Sequence, residues 1–406
     1  MTLLYRIIPP HIYISLCVLS WGLIASLQSV CTSFVSLAIL RGFLGVAEAA
    51  FGPGVPFYLT FFYKRSELAY RVGIFIAAAP LATSFAGTLA WGIVKIGQNG
   101  PIEPWRILFL VEGFPSVIVA FFAFYILPDS PSTARYLTVR QRRVAKLRLQ
   151  SESDTPHDDK VHGIKFSEVV ATLLDPKAYF TALMFFSANV AFSSLPVFLP
   201  TILRDMSFST LASQGLSAPP YLCAFGFLLL ISHQSDKIPD SRAWFIIGVS
   251  VLSSASYGAI ALAGALHEHI GDSGTLTIRY VGVYGAAMGF FSAVTLIITW
   301  TLNNQHSVTS RGTGMTIIQV VGQCGPLLGV RLFPKSQGPY YVPGMSVCAA
   351  FMLLVAILAL ALRWDLARKN RSQNVTQYEM VGTDDEGLMS DGAIPVPGKS
   401  GFKFML

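Results

Sequence analysis

Residues 41–71 read RGFLGVAEAAFGPGVPFYLTFFYKRSELAYR. Arg41 and Glu48 sit inside an otherwise apolar run. A Gly52-Pro53-Gly54-Val55-Pro56 cluster follows, then aromatics, then a basic turn holding Lys64, Arg65 and Arg71. The run is long enough to cross a bilayer, which takes ~20 apolar residues at ~1.5 Å rise each. Ionisable groups at membrane depth are expensive and usually face a protein interior or a water-filled cavity. The stretch therefore reads as a membrane helix forming one wall of a polar pathway. Its Gly-Pro cluster predicts a break that frees backbone groups from the helix ladder. Those groups must be satisfied by protein or by cavity water.

The rest of the chain has the same character. Of 406 residues, 53% are hydrophobic and 13% charged, against roughly 25% charged in a soluble domain. So few charges cannot cover a water-exposed surface, and the fold class is an all-α polytopic membrane protein. The span-length test predicts ten transmembrane helices, at about 11–33, 35–62, 69–94, 105–127, 178–203, 216–233, 243–266, 278–302, 313–333 and 341–363. The net charge of +7 follows from loop composition and implies no nucleic-acid partner. With the N-terminus placed in the cytoplasm, 22 of the 29 Lys and Arg residues fall on the inner side and 6 on the outer. Arg41 lies within a span. The positive-inside rule thus predicts both termini cytoplasmic.

Four regions follow. Residues 1–127 form an N-terminal transmembrane part of four helices, and 128–177 a cytoplasmic linker. Residues 178–363 form a C-terminal six-helix part, and 364–406 a disordered cytoplasmic tail. The linker contains LTVRQRRVAKLRLQ (137–150), either a helix against an anionic leaflet or a solvated connection. In the tail, Asn370 and Asn374 match the N-glycosylation pattern and are expected to be unmodified on the cytoplasmic side. Cys17, Cys31, Cys223, Cys324 and Cys348 lie in apolar segments without CxxC spacing and read as small hydrophobes. His267 and His269 do not share a helical face, so no metal site and no cofactor are expected. There is no nucleotide loop, HExxH or nucleophile elbow, which argues against an enzyme.

Residues 41–71 closely resemble the fourth transmembrane segment and following loop of the fungal anion:cation symporters, a branch of the major facilitator superfamily that includes allantoate permeases and nicotinate carriers. The likeness continues through LAWGI (89–93), PWRILFLVEGFPSVIVAFFAFYILPDSP (104–131) and LTVRQRRVAKLR (137–148). It resumes at LLDPKAYFTALMFFSANVAFSSLPVFLPTIL (173–203) and WTLNNQHSVTSRGTGMTIIQVVGQCGPLLG (300–329). The family has twelve spans in two six-helix halves. The ten spans here correspond to family segments three to twelve, so the first two are expected to be absent from this chain. The resemblance implies proton-coupled symport of a small organic anion, such as nicotinate or allantoate, by alternating access in a monomer at the plasma membrane. The alternative is a truncated, non-transporting fragment or a receptor built on the transporter fold.

The resemblance also assigns roles. Arg41 matches a substrate-recognition arginine and Glu48 a proton-coupling glutamate. Asp236, in SHQSDKIPDSR (232–242), matches a gating aspartate, with Lys237 and Arg242 as basic partners. The residues themselves allow those roles. A guanidinium fork matches a carboxylate, and a carboxyl in a low-dielectric cavity can load and unload a proton. Arg41 and Glu48 lie on nearly one face, about 10 Å apart along the axis, so each is free to serve a cavity or another helix. Asn189, Gln319 and Gln323 are uncharged polar residues inside spans. They are read as substrate contacts, or as hydrogen bonds joining helices. Glu112, beside Gly113 and Pro115, is read as structural.

Overall fold

The computed structural model describes residues 4–5, 7–97, 100–150, 165–193, 210–388 and 403–406. Among them there are helices and no strands. The first half holds α1 (Pro10–Leu27), α2 (Phe34–Leu59), α3 (Leu68–Gly97) and α4 (Pro104–Ile126). The linker carries α5 (Val139–Gln150) and α6 (Phe166–Leu173). The second half holds α7 (Pro176–Phe192), α8 (Thr210–Lys237), α9 (Arg242–Ala265), the short α10 (His267–Ile270), α11 (Asp272–Asn303), α12 (Val308–Gly322), the short α13 (Gly325–Gly329) and α14 (Val342–Leu388). Nine helices among the described residues are long and apolar enough to cross a membrane, or ten if α6 and α7, bent by 63°, count as one span. The last part of the span expected at 178–203 lies outside the described residues.

Helix starts follow local chemistry. Ser33 and Ser36 form a reciprocal cap at the head of α2. Asp175 caps α7 ahead of Pro176, and Ser307 caps α12. Each supplies an acceptor to an otherwise orphaned backbone N–H. The helices alternate in direction. The ends of α2, α4, α8 and α11 therefore share one end of the bundle with the starts of α1, α3, α7, α9 and α12. Lys64, Arg65, Lys237 and Arg242 lie there, and it is called the basic end below.

Small residues set how closely the helices approach. A methyl group added at Gly113 in α4 would lie 2.6 Å from the Ser26 backbone nitrogen of α1. One added at Gly289 in α11 would lie 2.5 Å from the Val249 carbonyl oxygen of α9. One at Gly325 would lie 2.5 Å from the Phe186 carbonyl oxygen of α7. Backbone-to-backbone contact of this kind is how membrane helices associate when lipid removes most of the hydrophobic drive. The centre of the bundle is α11, where every residue from Gly289 to Asn303 is buried. A helix apolar all round belongs in such a place. By contrast α4 turns Phe114, Phe121, Phe122 and Tyr125 outward, as a lipid-facing helix should.

Two features depart from the sequence pattern. The Gly52–Pro56 cluster does not break α2, which runs through Pro53 and Pro56 to Leu59. The small residues serve packing instead: a methyl group at Gly54 would lie 2.3 Å from the Tyr5 hydroxyl, so the Tyr5 ring occupies the space a side chain would need. Second, α14 continues past the boundary at 363 to Leu388, and residues 403–406 are packed against the bundle.

Gly289→Val should force α9 and α11 apart, since the new Cβ meets backbone that cannot rotate away. Overpacking of this kind costs about 1–3 kcal/mol or more. The expected outcome is a lower melting temperature in detergent than for Gly248→Val, because nothing lies within 4 Å of a methyl group at Gly248.

Candidate functional site

The two halves meet most closely along α3 and α8. A methyl group at Gly73 in α3 would lie 2.7 Å from Ser232 Oγ in α8, and Ala69, Val72 and Leu228 are fully buried around that crossing. At the basic end the seam becomes polar. The Asp236 carboxylate, at the end of α8, accepts hydrogen bonds from the backbone N–H of Ala69 (3.2 Å) and Tyr70 (2.7 Å), in the first turn of α3. It also accepts one from Arg242 Nη2 at 2.5 Å. Arg242 is buried, and its Nε donates to Ser235 Oγ at 3.3 Å. A carboxylate at a helix N-terminus satisfies orphan donors and meets the positive end of the dipole. The His233 and Tyr70 rings lie 5.1 Å apart beside it. Nearby, Asn303 Nδ2 donates to the Arg65 carbonyl oxygen at 3.0 Å.

Each of these bridges lies at the basic end. Arg148 of α5 pairs with Glu67 there, and the Arg142 Nε donates to the Ala134 and Leu137 carbonyl oxygens. The linker helix is thus fastened to the protein while Val139, Val144 and Leu147 remain exposed. In the loop between α11 and α12, burial and the nearby Lys177 and Arg65 cations hold the His306 imidazole below its ordinary range. His306 is therefore mainly neutral at pH 7.

Farther from the basic end, α2 and α12 face each other across the halves. A methyl group at Gly52 would lie 3.9 Å from Gln319 Nε2. Glu48, one turn beyond Gly52, is exposed and has no hydrogen-bond or ion-pair partner among the described residues. Arg41 is exposed as well, and its guanidinium lies over the Phe109 ring of α4 at 5.5 Å. Arg41 and Glu48 are not paired. Gln319 is half-buried and Gln323 exposed. Asn189 is buried, and its Nδ2 donates to the Gly322 carbonyl oxygen at 3.2 Å, joining α7 to α12. Glu112 is exposed and also lacks such a partner among the described residues. His267 stacks on Tyr340 at 4.5 Å.

Some of these contacts leave no signal in the sequence. The backbone donors of Ala69 and Tyr70 are chemically those of any residue, and only their place in the first turn of a helix marks them. A buried arginine near the start of α11, Arg279, is one such case. Its Nη2 donates to the Pro339 carbonyl oxygen at 3.0 Å and its guanidinium lies over Tyr340 at 5.4 Å.

Comparison with known proteins places this geometry. The family profile described as Major Facilitator Superfamily matches residues 5–330. The chain is 30% identical over 365 residues to the MFS transporter prlL of a fungal species, covering 89% of this chain and 71% of that protein. It is 26% identical over 353 residues to the high-affinity nicotinic acid transporter of Saccharomyces cerevisiae, covering 87% of this chain and 63% of the relative. Among solved structures it superposes on the proton:xylose symporter XylE with a TM-score of 0.63 at 11% identity, over 90% of this chain and 84% of the other. That last likeness is one of fold.

Removing one member of a buried pair strands the other, which costs about 3–5 kcal/mol, whereas replacing both is far cheaper. Asp236→Ala should therefore lower the melting temperature more than the double variant Asp236→Ala/Arg242→Met. A double variant less stable than the single would show that Asp236 does not stabilise the buried guanidinium.

Proposed function

We propose a function from one premise: the chain belongs to the Major Facilitator Superfamily, and its relatives are named as transporters. It carries a small organic anion together with a proton, by alternating opening of its two ends. The observation that carries this reading is the pair of unpaired charges on α2. Glu48 and Arg41 sit within a span, and neither has an ion-pair partner among the described residues. A charge at that depth is tolerated when a water-filled cavity or a ligand reaches it. An arginine fork suits a carboxylate, and a carboxyl whose proton comes and goes suits coupling. The nicotinic acid transporter among the relatives supports a carboxylate as cargo.

The basic end supplies the gate. Asp236 and Arg242 hold the start of α3 against the end of α8 and the start of α9, which closes that end while α2 stays exposed along its outer half. The positive-inside rule assigns the basic end to the cytoplasm, so the conformation is closed inward. Gln319, opposite Gly52 of α2, and Gln323, one turn further along, supply hydrogen-bond donors and acceptors for substrate. Asn189 is spent between helices and serves the cleft by fixing α7 on α12. Opening at the basic end requires Asp236 to leave the N-terminus of α3, with α3 sliding from α8 at the Gly73–Ser232 contact.

The test is accumulation of labelled nicotinate, and of a panel of small carboxylates, in proteoliposomes with an inward proton gradient. At least one carboxylate should accumulate. Glu48→Gln should abolish the gradient-driven accumulation of that cargo while retaining its exchange. No accumulation of any carboxylate would overturn the anion reading. Unchanged pH dependence in Glu48→Gln would remove Glu48 from the coupling.

A further inference from the structure

Residues 403–406 lie against the basic end in an extended, helix-free stretch, and their backbone is held on both sides. The Phe404 N–H donates to Asn370 Oδ1 at 2.9 Å, and Asn370 Nδ2 donates back to the Phe404 carbonyl oxygen at 2.9 Å. The Met405 N–H donates to Asn304 Oδ1 at 2.8 Å. Its carbonyl oxygen accepts from Asn304 Nδ2 at 3.1 Å and from Trp300 Nε1 at 2.8 Å. The Arg242 backbone N–H donates to the Leu406 carbonyl oxygen at 3.1 Å. The Lys403 carbonyl oxygen accepts from Arg65 Nη2 at 3.1 Å. Two asparagine side chains thus each pair with the N–H and the carbonyl oxygen of one residue, as a neighbouring strand would. The Phe404 side chain is buried at 5% exposure, with the Lys177 ammonium 4.2 Å over its ring and the His306 ring edge-on at 5.5 Å.

The position of this groove gives it a consequence. Asn370, Asn304, Trp300, Lys177 and Arg242 all belong to the second half, whereas Arg65 belongs to the first. Arg242 is the residue that pairs with Asp236, and Asn304 adjoins Asn303, whose side chain holds the Arg65 carbonyl oxygen. The segment therefore spans the seam at the point where the halves must part. Chain length permits the return: the 15 residues from Leu388 to Lys403 reach at most roughly 50 Å extended, and the way back from Leu388 to the level of Asn370 is about 27 Å of helix.

We propose that the groove formed by Asn304, Trp300 and Asn370 is a docking site for the chain's own Lys403–Leu406 segment, and that its occupation latches the basic end shut. The contacts are to the peptide backbone, so they accept an extended segment of many sequences, and Phe404 supplies the selective anchor. Because the segment is tethered, its effective concentration at the groove is of millimolar order. Release of the segment, by a partner that captures it or a modification near it, lets the gate open. This proposal rests on the reading of the basic end as a gate.

The test reads the gate directly. Ser232 is fully buried at the α3–α8 crossing and its hydroxyl has no hydrogen-bond partner among the described residues, so Ser232→Cys is a mild change. With the five cysteines of the chain replaced by serine, the rate of maleimide labelling at position 232 in proteoliposomes reports opening. Phe404→Ala, and separately deletion of 403–406, should each raise that rate about tenfold by shifting the population toward the open form. The hexapeptide GFKFML, amidated and added at millimolar concentration to the basic-end side, should restore protection to the deletion variant. Unchanged labelling in both variants overturns the latch. Faster labelling that the peptide does not reverse also overturns it, by assigning the segment a merely structural role. Asp236→Asn serves as a separate arm. If it raises labelling while the tail variants do not, the gate stands and the latch falls. If none of the three raises it, the gate reading falls as well.

Discussion

The fold depends on a carboxylate held between a helix start and a buried guanidinium. Asp236 takes the first-turn N–H groups of α3 and the fork of Arg242 at once. A single carboxylate has about four lone-pair sites, and three are used here by donors from two helices on opposite halves. Charge-assisted hydrogen bonds are roughly twice as strong as neutral ones. With the Asn303 bond to the Arg65 carbonyl oxygen beside it, this is where polar attraction between the halves is concentrated among the described residues. Beneath it the seam is close-packed, with Gly73 leaving no room for a methyl group beside Ser232.

That division of labour explains the contrast between α2 and α11. Both are long and apolar by composition. In α11 every residue from Gly289 to Asn303 is covered by protein, and none of those residues carries a charge. It behaves as the fixed spine of the second half, tied by Ser253 of α9 to the Ala286 carbonyl oxygen and by glycine contacts to α9. Along α2 the reverse holds. Arg41 and Glu48 are exposed and have no ion-pair partner among the described residues, Gly54 packs on Tyr5 and Gly52 lies near Gln319, and its two prolines remove hydrogen bonds without interrupting the helix. Packing is thus concentrated on α11, and charge without an ion-pair partner among the described residues on α2.

The legible part of the sequence was what hydropathy and charge record. The fold class and the positions of most spans follow from apolar runs, because a bilayer leaves a helix few alternatives. Asp236 and Arg242 were legible only through resemblance to a family pattern, since a short charged loop looks the same whether or not it clasps another helix. The course of α2 through Gly52–Pro56 was not legible. A proline shows that a hydrogen bond is lost, and whether the helix survives depends on the neighbour that fills the gap, here Tyr5 from far earlier in the chain. Nor was Asn370. Inside Asn-Arg-Ser it matched a surface glycosylation pattern, yet its amide is buried against Phe404. Contacts between a side chain and a distant backbone have no signature in composition or period.

The segment at 403–406 has energetics suited to control. The seven hydrogen bonds described above contribute about 1 kcal/mol each net, and burial of the Phe404 ring contributes about 2 kcal/mol. Fixing four residues costs about 1–2 kcal/mol apiece in backbone entropy. The balance favours the docked form by only a few kcal/mol. That is enough to bias a two-state gate, and small enough for a competing partner to reverse. A segment held by deep apolar anchors would lock the protein, and one held by exposed charges would respond mainly to salt. Two asparagines gripping a backbone, with one aromatic ring beneath a lysine, place the interaction between those limits.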